Sequence, residues 1–318
     1  MTIECMRKRL LLSREQSTCI KAIAITCVVI CHVLNNYTRI FTPLGGIGVC
    51  IFLILSGYGL SVSIDSRGIK GYWKKRIISV WIPYMFLETV IVFIKEGRVI
   101  NFGYLLDISL IQPKFVLGWY LNYIFICYTY FYFIERFIKS FRTKMMLYGV
   151  ISLILLGYTF YIKDGLKFEQ SFSFLIGIVL ARCDVSKLIK NKIVWLNLCL
   201  GVFLLSVKQI SFIREIQVCY YFLDFFLKTF ISIGIIIFVL VNWKFYEGLK
   251  IKKALVHVGK SSYIIYLVHG YLLILFVKLK GYANIFIIAT FCVCCFVATV
   301  VYYYFITFIQ KIIARETD

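Results

Sequence analysis

Apolar runs recur along the whole chain, separated by short basic segments. About ten can be read, at 20–36, 45–64, 78–95, 116–136, 145–162, 168–181, 193–208, 219–242, 261–278 and 284–309. Most approach the roughly 20 residues that an α-helix needs to cross the hydrocarbon of a bilayer. Composition leaves no soluble alternative. Of 318 residues, 61% are hydrophobic and only 16% charged, too few charges to cover this much apolar surface in water. The predicted fold is all-α: a polytopic integral membrane helix bundle with about ten transmembrane helices. The run at 168–181 is short. Asn101–Gln112 is moderately apolar, reads as re-entrant or interfacial, and is not counted.

The net charge of +21 would point to nucleic acid in a soluble protein. Here the cations sit between apolar runs, so membrane topology explains them and no nucleic-acid partner is expected. Lys and Arg in alternate segments differ by more than two to one. The rich set includes Arg7, Lys8, Arg9, Lys74, Lys75, Arg76, Arg182, Lys187, Lys252 and Lys253. Placing it inside puts both termini in the cytoplasm of a multi-pass plasma-membrane protein. The even span count agrees. Met1–Ser17 is polar and basic, and the run after it is too long for a signal peptide, so no cleaved leader is expected. No repeat or linker divides the chain. It reads as one membrane domain over 1–318, with a cytoplasmic segment at 1–19, the bundle at 20–309 and a cytoplasmic tail at 310–318.

The twelve cysteines fall in apolar runs or near the cytoplasmic face and do not form a disulfide framework. Cys292-Val-Cys294-Cys295 has no second pair and no nearby histidine, so it reads as helix packing; no metal is expected.

The first run carries the main candidate site. Lys21 opens it and His32 follows eleven residues later, roughly 16 Å along a helix axis. An ionisable group at that depth is costly to bury and marks function by default. Span nine enters from the same side near Ser261, which puts His269 roughly 12 Å in. The two imidazoles thus lie at similar depth, as a shared polar site requires. The structural alternative is two unrelated histidines bonding across helices. Histidine suits acyl transfer because it takes a proton from a hydroxyl at neutral pH and returns it, or carries an acyl group itself. Cys31 adjoins His32, but neighbours on a helix point about 100° apart, which excludes a Cys–His dyad. Glu88, near mid-membrane, needs a partner on another helix, and a histidine is one choice. Asp224 and Lys228, one turn apart, can pair with each other and read as structural.

Two further runs stand out. Gly45 to Gly59 is rich in small residues, including Ser56 and Gly57 beside Tyr58, which permits close helix packing or close approach to a ligand. Lys74-Lys75-Arg76 opens span three, with Pro83 soon after. It is either a topology anchor or a phosphate-binding cluster.

As a set, these motifs resemble the acyltransferase-3 family of multi-span membrane acyltransferases. The family's first helix has an Arg or Lys, ten residues, then His, as in Lys21 and His32. A Phe-Phe-x-x-Ser-Gly-type motif is similar to Phe52 through Tyr58. A basic pair and proline resemble Arg76 through Pro83, although the family's second arginine is Ser79 here. Trp119-Tyr120-Leu121 leading to Tyr128, Phe174-x-x-Gly177 with Arg182, and Gly259-Lys260-Ser261-Ser262-Tyr263 through Tyr266, Leu267 and His269 complete the set. The resemblance covers nearly the whole chain. It implies transfer of an acyl group, commonly acetyl from cytoplasmic acetyl-CoA, to a hydroxyl of a cell-surface or lipid-linked glycan. His32, His269 and Glu88 are the candidate catalytic residues. Lys21, Arg76, Lys75, Ser56, Gly57 and Tyr58 are candidate contacts to the donor, and Trp119, Tyr120 and Asn35 to the acceptor. Membrane lipids are the other expected partner. The competing reading is a glycan or lipid-linked sugar transporter; inverted repeats would favour it, and none is found.

Overall fold

The computed structural model describes residues 12–35, 38–97, 102–111, 113, 115, 117–184, 189–277 and 285–315. Cys5, Arg7, Lys8, Arg9 and Lys187 lie outside the described residues. The main helices are α1 (Arg14–Leu34), α2 (Thr42–Arg67), α3 (Ile82–Glu96), α4 (Phe102–Ile108), α5 (Gly118–Phe137) and α6 (Phe141–Tyr161). After them come α7 (Ser173–Arg182), α8 (Asn191–Val207), α9 (Gln217–Val241), α10 (Ile251–Lys260), α11 (Ser262–Val277) and α12 (Ile285–Arg315). Among the described residues there is no strand.

Every apolar run carries a helix, and α4 occupies the segment read as re-entrant or interfacial. Among the described residues, six segments are long and apolar enough to cross a membrane: Arg14–Leu34, Arg39–Arg67, Tyr72–Ile94, Phe141–Tyr161, Gln217–Val241 and Phe286–Ile313. The count of about ten is therefore not met by length and hydropathy alone. α8 and part of α11 are apolar but shorter. α7 has ten residues, about 15 Å of helix against a hydrocarbon thickness of about 30 Å. Apolar sequence records burial, and burial inside a bundle does not require a full crossing.

The chain forms two compact units. The first comprises Met1–Cys31, Ile40–Gly68 and Phe133–Lys260; the second comprises His32–Arg39, Ile69–Tyr132 and Ser261–Asp318. The first is centred on α2. Ile47, Ile51, Ile54 and Leu55 pack with Ile20 and Ala24 of α1 and with Ile236 and Val239 of α9. Glycine sets the approach of α2 to α7. A Cβ at Gly57 would run into the carbonyl of Phe174, and one at Gly177 into the carbonyl of Ile54. Each helix therefore lays a bare glycine on the other's backbone, the small-residue packing that membrane helices favour. α2 ends at Gly68, whose φ of +71° suits glycine, with its N–H donating to the carbonyl of Ile64 at 2.8 Å.

In the second unit, a short helix at Tyr72–Arg76 passes into a π-helical segment at Ile77–Trp81 before α3. Pro83 explains the irregular winding: it has no N–H, and its ring clashes with the carbonyl one turn back. Side chains from other helices serve the carbonyls of this segment. Tyr263 donates to Val80 at 2.7 Å, and Gln310 to Ile78 at 2.9 Å. Ile264 and Val268 of α11 pack with Ile306 of α12 against Phe86 and Leu87 of α3. On α6 and α12, Leu153, Ile154, Phe296, Val301 and Phe308 are exposed. Such apolar faces suit lipid, not water.

Candidate active site

The second unit brings the two membrane histidines together. His32 stands in the last turn of α1 and His269 in the third turn of α11. His32 Nδ1 lies 3.1 Å from His269 Nε2. The rings stack, with centroids 5.3 Å apart and an interplanar angle of 20°. His269 is fully buried, and its Nδ1 lies 2.8 Å from the carbonyl of Ile265, one turn earlier on the same helix. His32 is half-buried. Similar depth in the sequence thus corresponds to direct contact in the fold.

Aromatic rings extend from the pair. Tyr266 meets His269 edge-on with centroids 5.8 Å apart, and its hydroxyl donates to the carbonyl of Leu117. Tyr120 packs on Tyr266 at 5.2 Å, and Trp119 meets Tyr120 at 6.4 Å. Two of the expected acceptor contacts therefore connect to the histidines through one tyrosine. Asn35 is exposed, one turn beyond His32. Gly270, beside His269, has no room for a Cβ because Phe115 and Leu117 press against it.

Glu88 is buried on α3 and accepts the hydroxyl of Tyr271. A tyrosine thus supplies one partner from another helix. Tyr271 is two residues past His269, so it points about 200° around α11 from it. Tyr271 also stacks on Phe115 with centroids 4.3 Å apart. A second carboxylate, Asp107 of α4, accepts from Tyr84 at 2.6 Å. Neither tyrosine stands out in the sequence; a hydroxyl in an apolar run is the only signal either gives.

The cations at the start of span three divide. Lys74 and Lys75 are exposed. Arg76 is half-buried in a tyrosine frame: it donates to the carbonyl of Tyr72 at 3.1 Å, with its guanidinium 4.2 Å from the Tyr72 ring centre and 6.0 Å from that of Tyr128. Tyr72 in turn donates to the carbonyl of Tyr128 at 2.9 Å.

The remaining expected contacts belong to the first unit. Lys21 is half-buried on α1. Gly57 is engaged by α7, as above. The Tyr58 hydroxyl accepts the N–H of Leu12 at 2.9 Å, and Ser56 is half-buried. The second-helix motif thus serves packing at Gly57 and Tyr58. Arg182, from the Phe174 motif, joins three helices by donating to Glu135 at 2.6 Å and Asp65 at 3.1 Å. The Asp224–Lys228 pair forms as part of a longer row. Lys228 bonds Glu169, and Asp224 accepts from Lys208 at 2.5 Å; Lys228 and Asp224 are 3.7 Å apart. Two cations and two carboxylates therefore alternate in a row, with Asp224, Lys228 and Glu169 buried and Lys208 half-buried. The sequence signal was Glu169 at the head of an apolar run.

A family model described as an acyltransferase domain, that of the acyltransferase-3 family, matches residues 15–306. No curated protein and no solved structure matches the chain.

Proposed function

Because the chain belongs to the acyltransferase-3 family, we propose that it is a membrane enzyme moving acetyl from cytoplasmic acetyl-CoA to a hydroxyl of a cell-surface or lipid-linked polysaccharide. Family membership supports acyl transfer. The observation that supports a site for it is the contact of His32 Nδ1 with His269 Nε2 at 3.1 Å. His32 takes the proton of the acceptor hydroxyl as the oxygen attacks the thioester carbonyl carbon. The carbon–sulfur bond breaks, and the imidazole returns the same proton to the departing thiolate, so no net proton is consumed. Lys74, Lys75 and Arg76 are cations that can meet the phosphates of the donor, and the family resemblance adds Lys21 as a candidate. Trp119 and Tyr120 offer rings to the sugar. In this reading about ten helical segments span the plasma membrane, with both termini in the cytoplasm.

The test uses purified protein in liposomes with labelled acetyl-CoA and surface polysaccharide. Label passes to glycan with the native protein. His32→Ala still inserts and accumulates, but transfer falls on the order of 100- to 10,000-fold. Near-normal acylation by that variant overturns the role of His32. Sugar transport without acetyl consumption overturns the enzyme reading. Label retained on the protein before any acceptor is added identifies His32 as an acyl carrier instead of a base.

A further inference from the structure

Taking His32 as the reacting base, we propose that His269 is a positioning residue that fixes which nitrogen of His32 carries the proton, leaving the lone pair on Nε2. A backbone carbonyl only accepts, so the 2.8 Å contact between His269 Nδ1 and the Ile265 oxygen puts a hydrogen on that Nδ1. A charge at this depth in the bilayer is costly, so the pair is neutral at rest. His269 then has its lone pair on Nε2, which must accept. Its neighbour at 3.1 Å is His32 Nδ1, which therefore donates. The only site left for the lone pair of His32 is Nε2, on the far edge of its ring. The Ile265 carbonyl thus sets the tautomer of a histidine on another helix through a chain of two imidazoles.

The same chain serves the protonated state. When His32 Nε2 takes the acceptor's proton, the ring becomes a cation with Nδ1–H still donated to His269. Polarisation of His269 towards the Ile265 oxygen then spreads that charge. This is the orienting and charge-stabilising work that a carboxylate does in a serine hydrolase, done here by a neutral group.

Two measurements test the proposal. The first reads the proton directly. In protein labelled with nitrogen-15 histidine, on a background of His257→Gln (His257 is exposed on α10), both remaining rings should show protonated Nδ1 and unprotonated Nε2. A His32 ring protonated at Nε2 overturns the proposal, whatever the activity. In His269→Ala the fixed tautomer of His32 should be lost. The second is kinetic. His269→Ala should lower kcat on the order of 10- to 100-fold, by analogy with loss of a group that orients a ligating histidine, with KM for acetyl-CoA little changed. In His269→Gln the side-chain oxygen can accept from His32 Nδ1, so activity should recover to within about tenfold of native. If a well-folded Gln variant is as impaired as the Ala variant, His269 itself handles the proton and the positioning role fails. If His32→Ala keeps its activity, the base reading fails separately, while the tautomer measurement still stands.

Discussion

The hydroxyl of Tyr263 donates to the carbonyl of Val80 at 2.7 Å, across from α11 to the π-helical segment ahead of Pro83. A motif tyrosine on the same helix as a catalytic candidate thereby has a structural role, since it satisfies a carbonyl in irregularly wound backbone at membrane depth. Tyr263→Phe should lower stability by about 1 kcal/mol, within the range for a lost hydrogen bond with one buried partner stranded. Thermal unfolding in detergent will measure it. No change in melting temperature would mean that water or a neighbouring group takes over.

The row of Lys208, Asp224, Lys228 and Glu169 makes a sharper prediction. Lys228→Met leaves Glu169 charged and buried without its cation, which should cost about 3–5 kcal/mol. Adding Glu169→Gln removes the stranded charge, while Asp224 keeps Lys208 at 2.5 Å. The double variant should therefore be more stable than the single. Equal stability would show that Glu169 without its cation is not a costly stranded charge.

Arg76 is predicted to act on donor binding. Arg76→Gln should raise KM for acetyl-CoA on the order of tenfold or more, the usual effect of a lost charge-assisted contact. Arg76→Lys should restore only part of this, because lysine lacks the flat guanidinium that lies over the Tyr72 ring. Unchanged KM in both variants would make Arg76 a topology anchor.

The Lys and Arg distribution predicts that both termini lie in the cytoplasm. A reporter that works only outside the cytoplasm, joined after Asp318, should be silent. Activity there would break the assignment of both termini to the cytoplasm.

Much of this architecture was legible because lipid imposes simple rules. Apolar runs located every main helix except α4 and α10. The distances of His32 and His269 from one face put them at similar depth, because rise per residue converts sequence into depth; that they touch was not legible. Pairing across helices was not legible. Depth does not give azimuth, so nothing in the sequence directed Tyr271 to Glu88 or Lys208 to Asp224. The span count was inferred from hydrophobicity, and α7 shows why length does not confirm it: ten residues can be apolar through contact with neighbouring helices, α2 above all.

The paired glycines of α2 and α7 have a consequence for permeation. Where Gly57 lies on the carbonyl of Phe174 and Gly177 on that of Ile54, main chain touches main chain. No lipid tail, file of water or pantetheine arm has width to pass there. The two helices act at that point as one continuous wall. Under the proposed reaction, with donor and acceptor in opposite compartments, a seam closed in this way would hold ions back while acetyl crosses.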